Sequence, residues 1–180
     1  EMLKRDIVNA ISDKLEATIL GSAAGSATMP AGIFNGVTAE TKDITYKRLV
    51  DMETALEEAN VAGNKCFIVS PSAKGILKTT AKDALYNVTD GGVHTCVGCA
   101  GCLMEENEVN GYPVYCTSNV TSKGVVMGHF EDFVIGQWGG IDLTVDPYTQ
   151  AANGKVRLVI NAYFDAKPRR TGSFQKAILK

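Results

Sequence analysis

The stretch KVRLVINAYFDA, residues 155–166, limits the fold more than any other part of the chain. Val156, Leu158, Ile160, Ala162 and Phe164 share one parity, and Arg157, Asn161 and Asp165 share the other. Strict alternation fits a strand, whose successive side chains point to opposite faces, and conflicts with the 3.6-residue period of a helix. A strand with one apolar face needs strand neighbours. IDLTVDP (141–147) supplies one just upstream, with Asp146-Pro147 and Asn153-Gly154 as turn residues on either side of 148–152. YPVYCTSNV (112–120), GVVMGHF (124–130) and the closing SFQKAILK (173–180) also read as extended. The second half of the chain is therefore expected to be antiparallel sheet.

The first half has a different period. Leu3, Ile7, Ile11, Leu15 and Thr18/Ile19 recur at helical spacing with Val8 beside them, predicting an amphipathic helix over 3–20 capped by Gly21. Residues 21–36, GSAAGSATMPAGIFNG, match neither GxGxxG nor GxxxxGK[ST] and are expected to be a flexible connection without a phosphate cradle. A second helix is predicted over 45–59, with Leu49, Met52, Leu56 and Ala59 facing inward. NKCFIVS (64–70) predicts a short buried strand. Ser70-Pro71 then places an N-cap and a first-turn proline on a third helix running through Ile76 and Leu77 to Leu85. A polar, Gly-rich loop fills 87–111. With helices early and strands late, and with no internal repeat or linker, the fold class is α+β in one unit.

Composition narrows the function. The chain has 180 residues, 45% hydrophobic and 21% charged, so a core can form without disulfides or a structural metal. A net charge of −2 gives no basic bias toward nucleic acid or a membrane surface, and Lys167-Pro168-Arg169-Arg170 is short enough to be a solvated turn. No apolar run reaches the ~20 residues of a membrane span, and no segment reads as a signal peptide. An odd count of five cysteines implies reduced thiols in a cytosolic setting. The chain opens directly in a helical pattern, as a piece of a longer protein would.

One cluster carries candidate chemistry. HTCVGCAGC (94–102) sets His94, Cys96, Cys99 and Cys102 at close spacing, a donor set suited to tetrahedral Zn²⁺ or to part of an iron–sulfur run. A ferredoxin run needs a fourth cysteine followed by proline, whereas Leu103 follows Cys102. Zinc modules usually add a second ligand pair after a longer loop, and none follows here. Cys66 or Cys116 would have to supply a distant ligand. The favoured reading is a variable Gly-rich loop with no metal site and no cofactor. The alternative is a small metal-binding or redox protein. His129, the carboxylates Glu105, Glu106, Glu108, Glu131 and Asp132, and the single tryptophan Trp138 compose no catalytic constellation. Trp138 is expected on a packed or interface surface.

Five segments in order carry a resemblance. AISDKLEATILGSAAGSATMPAGIF ends in the step Pro30-Ala31-Gly32-Ile33, CFIVSPSAKGIL joins a strand to a helix through Ser-Pro, and VNGYPVYCTSNV carries Gly111, Pro113 and Val114. GVVMGHFEDFVIGQWGGIDLTVDP has His129 where a Gly-Asp-Phe element would have Asp, and VRLVINAYFDAKPRRTGSFQKAIL supplies the last strands. Together these resemble the major capsid proteins of tailed bacteriophages with the HK97-type fold.

The resemblance implies a central axial lobe plus a peripheral lobe with antiparallel strands and flanking helices, and a chain lacking the family's N-terminal arm and extended loop. It divides the chain into a peripheral-lobe helix and connecting loop at 1–44, a mainly axial part at 45–140, and strands returning to the peripheral lobe at 141–180. It implies a structural subunit and no enzyme. Self-association into hexamers and pentamers would build an icosahedral shell that encloses double-stranded DNA without sequence-specific contacts. Scaffolding, portal and protease proteins of the phage are the further expected partners. The virion is the expected location, after assembly in the bacterial host cytoplasm. An encapsulin-type compartment shell shares the fold and is the second alternative.

Overall fold

The computed structural model describes residues 2–82 and 101–180, leaving aside the side chains of residues 3 and 4. His94, Cys96 and Cys99, the end expected for the third helix at Leu85, and most of the 87–111 loop lie outside the described residues, as does the side chain of Leu3.

The described residues include three α-helices: α1 (Met2–Ile19), α2 (Tyr46–Glu58) and α3 (Pro71–Thr79). Sequence chemistry starts two of them. Thr45 caps α2 by accepting from the Arg48 amide, and the Ser70 hydroxyl accepts from Ala73 N at 3.2 Å with Pro71 at the first helical position. On α2, Leu49, Met52 and Leu56 are buried as expected, while Ala59, the C-cap, is exposed. The helix α3 ends at Thr79, short of the expected Leu85. Thr80 is extended, Ala81 pairs with Cys102, and the amides of Lys82 and Leu103 bond to Gly101 O and Thr80 O. Backbone pairing with 101–103 replaces another helical turn.

The described residues also include seven strands: β1 (Cys66–Val69), which lies between α2 and α3, then β2 (Glu108–Val109), β3 (Tyr112–Cys116), β4 (Gly124–Gly128), β5 (Phe133–Asp146), β6 (Arg157–Pro168) and β7 (Phe174–Ile178). Five of them form one sheet in the order β2-β3-β1-β4-β7, with only β1 and β3 parallel. Side-chain alternation splits this sheet between two cores. Phe67, Val69, Val125, Met127 and Ala177 pack with the inner faces of α2 and α3. Val126, Phe174, Ile68 and Ile178 pack on the opposite side with Leu20, Ile33, Phe34 and Val120. Every residue of β4 is buried because this strand is covered on both faces.

The small-residue connection after α1 is ordered, contrary to the expected flexible linker. Helix ends leave carbonyls without intrahelical partners, and the Pro30–Ile33 step meets them. Ile33 N donates to Ile19 O at 2.7 Å, Phe34 N to Gly21 O at 3.1 Å and Gly32 N to Ala23 O at 3.0 Å. Gly32 is required by space: a Cβ there would sit 2.2 Å from Gly21 O. Phe34, delivered by this step, is fully buried.

Among the described residues, the strands β5 and β6 pair only with each other. At 14 residues, β5 makes a ribbon about 45 Å long. The expected strand at 141–147 is therefore the distal half of a longer one, continuous through the boundary drawn at 140. Residues 139–141 stand opposite Ala162 alone, a bulge built around Gly139 at φ +73°. The closing strand β7 joins the five-stranded sheet beside β4 and not the ribbon.

Candidate assembly surface

The ribbon leaves the five-stranded sheet through His129–Asp132 and returns through Arg169–Ser173, and these two crossings are tied to one another. Ser173 Oγ donates to Asp132 Oδ2 at 2.5 Å, Arg169 N to Asp132 O at 2.7 Å, and His129 N to Ser173 O at 3.2 Å. Phe130 and Phe133 stack edge-on against Phe174 with ring centroids 5.3 and 5.9 Å apart. Ser173 is buried, so its bond to a carboxylate is shielded from water. The His129 ring packs against Gly63, whose φ of +96° and close approach leave no room for a side chain. His129 Nδ1–H donates to Asn64 O at 2.8 Å, since a carbonyl can only accept. Nε2 lies 3.6 Å from Glu131 Oε2. Where the resemblance expects Asp, this chain thus uses an imidazole to tie the outgoing crossing to the turn before β1.

Beyond this clamp the ribbon is apolar and uncovered. Among the described residues, nine of the fourteen exposed large hydrophobics lie between Val134 and Tyr163. The register places Leu143 opposite Ile160 and Val145 opposite Leu158, so these four share a face. Leu143 and Val145 are each more than half exposed, whereas Leu158 and Ile160 are half-buried. The other face carries Trp138 opposite Tyr163, both largely exposed. Trp138 and Tyr163 also line a groove of about 700 Å³ against residues 25–31. The stripe on α1 behaves similarly, with Ile7, Ile11, Leu15 and Ile19 half-buried and Val8 exposed. A monomer rarely leaves so much contiguous apolar surface in water, and a two-stranded ribbon is marginal without packing.

The other candidate residues do not converge. Cys66 is half-buried on β1, and burial pushes its thiol above the ordinary cysteine range. Cys116 is exposed at the end of β3, opposite Val69, so the parallel register sets it three positions along from Cys66, about 10 Å. Cys102 is half-buried beside Ala81. Glu105, Glu106 and Glu108 rim an open cleft of about 500 Å³ with Lys82, whose Nζ is 3.8 Å from Glu105. Among the described residues, no group of three or more His, Cys, Asp or Glu is arranged to hold a metal ion. No helix among them is long and apolar enough to cross a membrane.

A model of the phage capsid family matches residues 1–177. The chain belongs to the phage capsid family. The major capsid protein of Halomonas phage phiHAP-1 is 31% identical over 133 residues, 73% of this chain and 20% of that protein. Among solved structures, the capsid of an empty GTA particle superposes with a TM-score of 0.64 at 16% identity, over 98% of this chain and 66% of that one. A chain from Gordonia phage Cozz gives 0.62 at 15% identity, covering 99% and 62%. The encapsulin complex of Synechococcus elongatus gives 0.58 at 12% identity, covering 97% and 63%. At such identities the likeness shows the fold, which is the HK97-type capsid fold. The chain spans about a fifth of the curated relative and about two thirds of the solved capsid chain. Sequence reading placed the family and the strand-rich second half, but it took only the distal half of β5 and missed β2 and the Asp132–Ser173 clamp. A side-chain bond between residues 41 positions apart leaves no local pattern to find.

Proposed function

We propose that this chain is a shell subunit of a phage major capsid protein. The observation that carries the reading is the β5–β6 ribbon, whose apolar residues stand in water along about 45 Å with only the clamp at one end. Copies related by rotation bury such a surface against a different patch on the next copy, and a contact of that kind closes into a ring. Hexamers and pentamers are the rings an icosahedral shell requires. The proposed lobes are a peripheral one containing 1–44 and the ribbon, and an axial one containing the five-stranded sheet. We put the second boundary at the clamp, a choice supported by the continuity of β5 through 140.

The role is structural and calls for no catalysis, cofactor or metal. With a net charge of −2, enclosed double-stranded DNA would be held by confinement and without a binding groove. Scaffolding, portal and protease proteins are the proposed accessory partners, with assembly in the host cytoplasm and the virion as destination. The encapsulin likeness supports a second reading, a compartment shell whose cargo is protein.

Light scattering coupled to size-exclusion chromatography, over a range of concentrations, tests the ribbon directly. Growth of oligomers with concentration is expected, abolished by Leu143→Asp with Val145→Asp while far-UV circular dichroism stays unchanged. Oligomers that survive this double substitution would remove the ribbon from the interface. Packaged DNA supports the phage reading, and packaged protein the compartment.

A further inference from the structure

The sequence contains three Asn-Gly pairs, Asn35-Gly36, Asn110-Gly111 and Asn153-Gly154. Such pairs are labile because glycine has no Cβ to shield its amide nitrogen. That nitrogen loses its proton and bonds to the asparagine Cγ, the Cγ–Nδ2 bond breaks, and ammonia leaves with the proton. Water then opens the cyclic imide at either carbonyl, giving aspartate or isoaspartate. Nothing is oxidised or reduced, and water is the only co-reactant.

The fold treats the three pairs differently. At Asn153, Nδ2 donates to Gln150 Oε1 at 3.1 Å, and the attacking Gly154 amide already donates to Ala151 O at 3.0 Å. At Asn110, Nδ2 donates to Glu53 Oε2 at 3.4 Å and Oδ1 is sealed from solvent. Asn110 also sits with φ +52° in the tight turn joining β2 to β3. Asn35 is exposed, and among the described residues neither its side chain nor the Gly36 amide makes a hydrogen bond. The turn is closed by Val37 N donating to Phe34 O at 3.1 Å, which leaves the central Asn35–Gly36 peptide outside that bond. Gly36 has φ +73° and open space around it.

We propose that Asn35 is a spontaneous modification site of the native protein, losing its carboxamide through the Gly36 amide ahead of the other two pairs. The product places a carboxylate, or an isoaspartyl backbone longer by one methylene, beside the buried Phe34. It also lies two residues from Ile33, whose carbonyl accepts from Lys176 Nζ at 2.6 Å.

Peptide mapping by mass spectrometry, after incubation of the intact chain at mildly alkaline pH, tests this. Native protein is expected to convert Asn35 several-fold faster than Asn110 and Asn153, and the three rates are expected to converge in guanidinium. Asn35→Ser is expected to remove the fast phase and leave the two slow sites unchanged. Conversion of Asn110 or Asn153 first, or the same ranking in native and denatured protein, would overturn the proposal.

Discussion

Replacing Gly32 by Ala adds one methyl group, and its cost can be worked from the contacts it would make. The new Cβ would lie 2.2 Å from Gly21 O, 2.6 Å from Gly21 C and 3.2 Å from Ser22 N, all of them backbone atoms that no rotamer change can move aside. Relief requires the end of α1 and the Pro30–Ile33 step to part by about 1 Å, past the point where dispersion contacts are lost. That movement stretches two hydrogen bonds, Ile33 N to Ile19 O and Phe34 N to Gly21 O, each contributing roughly 1 kcal/mol. It also draws Phe34 away from its cluster, adding the roughly 1–3 kcal/mol typical of an overpacked core. The sum is about 3–5 kcal/mol, or a fall in Tm of about 6–20 °C for a chain of this size. Gly75→Ala is the matched control. It makes the same chemical change in α3, exposed and with nothing within 4 Å, and is expected to stabilise by about 0.5–1 kcal/mol. Urea unfolding followed by far-UV circular dichroism reads both. If Gly32→Ala unfolds within about 0.5 kcal/mol of the parent, then the glycine is a passenger and the docking argument fails.

Three other perturbations probe separate joints. Ser70→Ala removes the cap of α3 and is expected to cost about 1 kcal/mol in urea unfolding; an unchanged midpoint would show the helix start is held by packing alone. Asp132→Ala leaves the buried Ser173 hydroxyl without its acceptor and is expected to cost about 2 kcal/mol while loosening the ribbon, read as faster amide exchange across β5 and β6; protection equal to the parent would mean the aromatic contacts suffice as a clamp. Burial holds the Cys66 thiol above its ordinary range, and burial followed by the Glu53 hydrogen bond does the same for the Tyr112 phenol. In both cases the folded chain keeps its proton longer than the unfolded one, so stability is expected to decline as pH rises above about 8.5. Cys66→Ala should flatten the lower part of that decline, and a parent-like slope would refute the assignment.

What the sequence made legible divides by the range of the interaction that decides it. The start of α3 was readable because the Ser70 cap and Pro71 are adjacent in the chain, whereas the sequence reading placed Thr45 inside the second helix and did not single it out as the cap. The ribbon strand was readable because alternation is visible residue by residue, and the family because several short motifs keep their order along the chain. The end of α3 was not readable. Nothing in Thr79-Thr80-Ala81-Lys82 stops a helix; what stops it is Gly101–Leu103, arriving from twenty residues away to pair with 80–82. The linker failed for the opposite reason. A run of Gly, Ser and Ala reads as slack chain when side chains are the only evidence considered. Here smallness is what lets two backbones approach closely enough for Gly21 O to accept from Phe34 N. Covering of the ribbon is the most remote interaction of all, because on the proposed reading its partner is another copy of the chain. Alternation predicted that Leu158 and Ile160 would share a face, and the register adds Leu143 and Val145 to it. That two of these four stand more than half exposed among the described residues is the observation on which the proposed contact between copies rests.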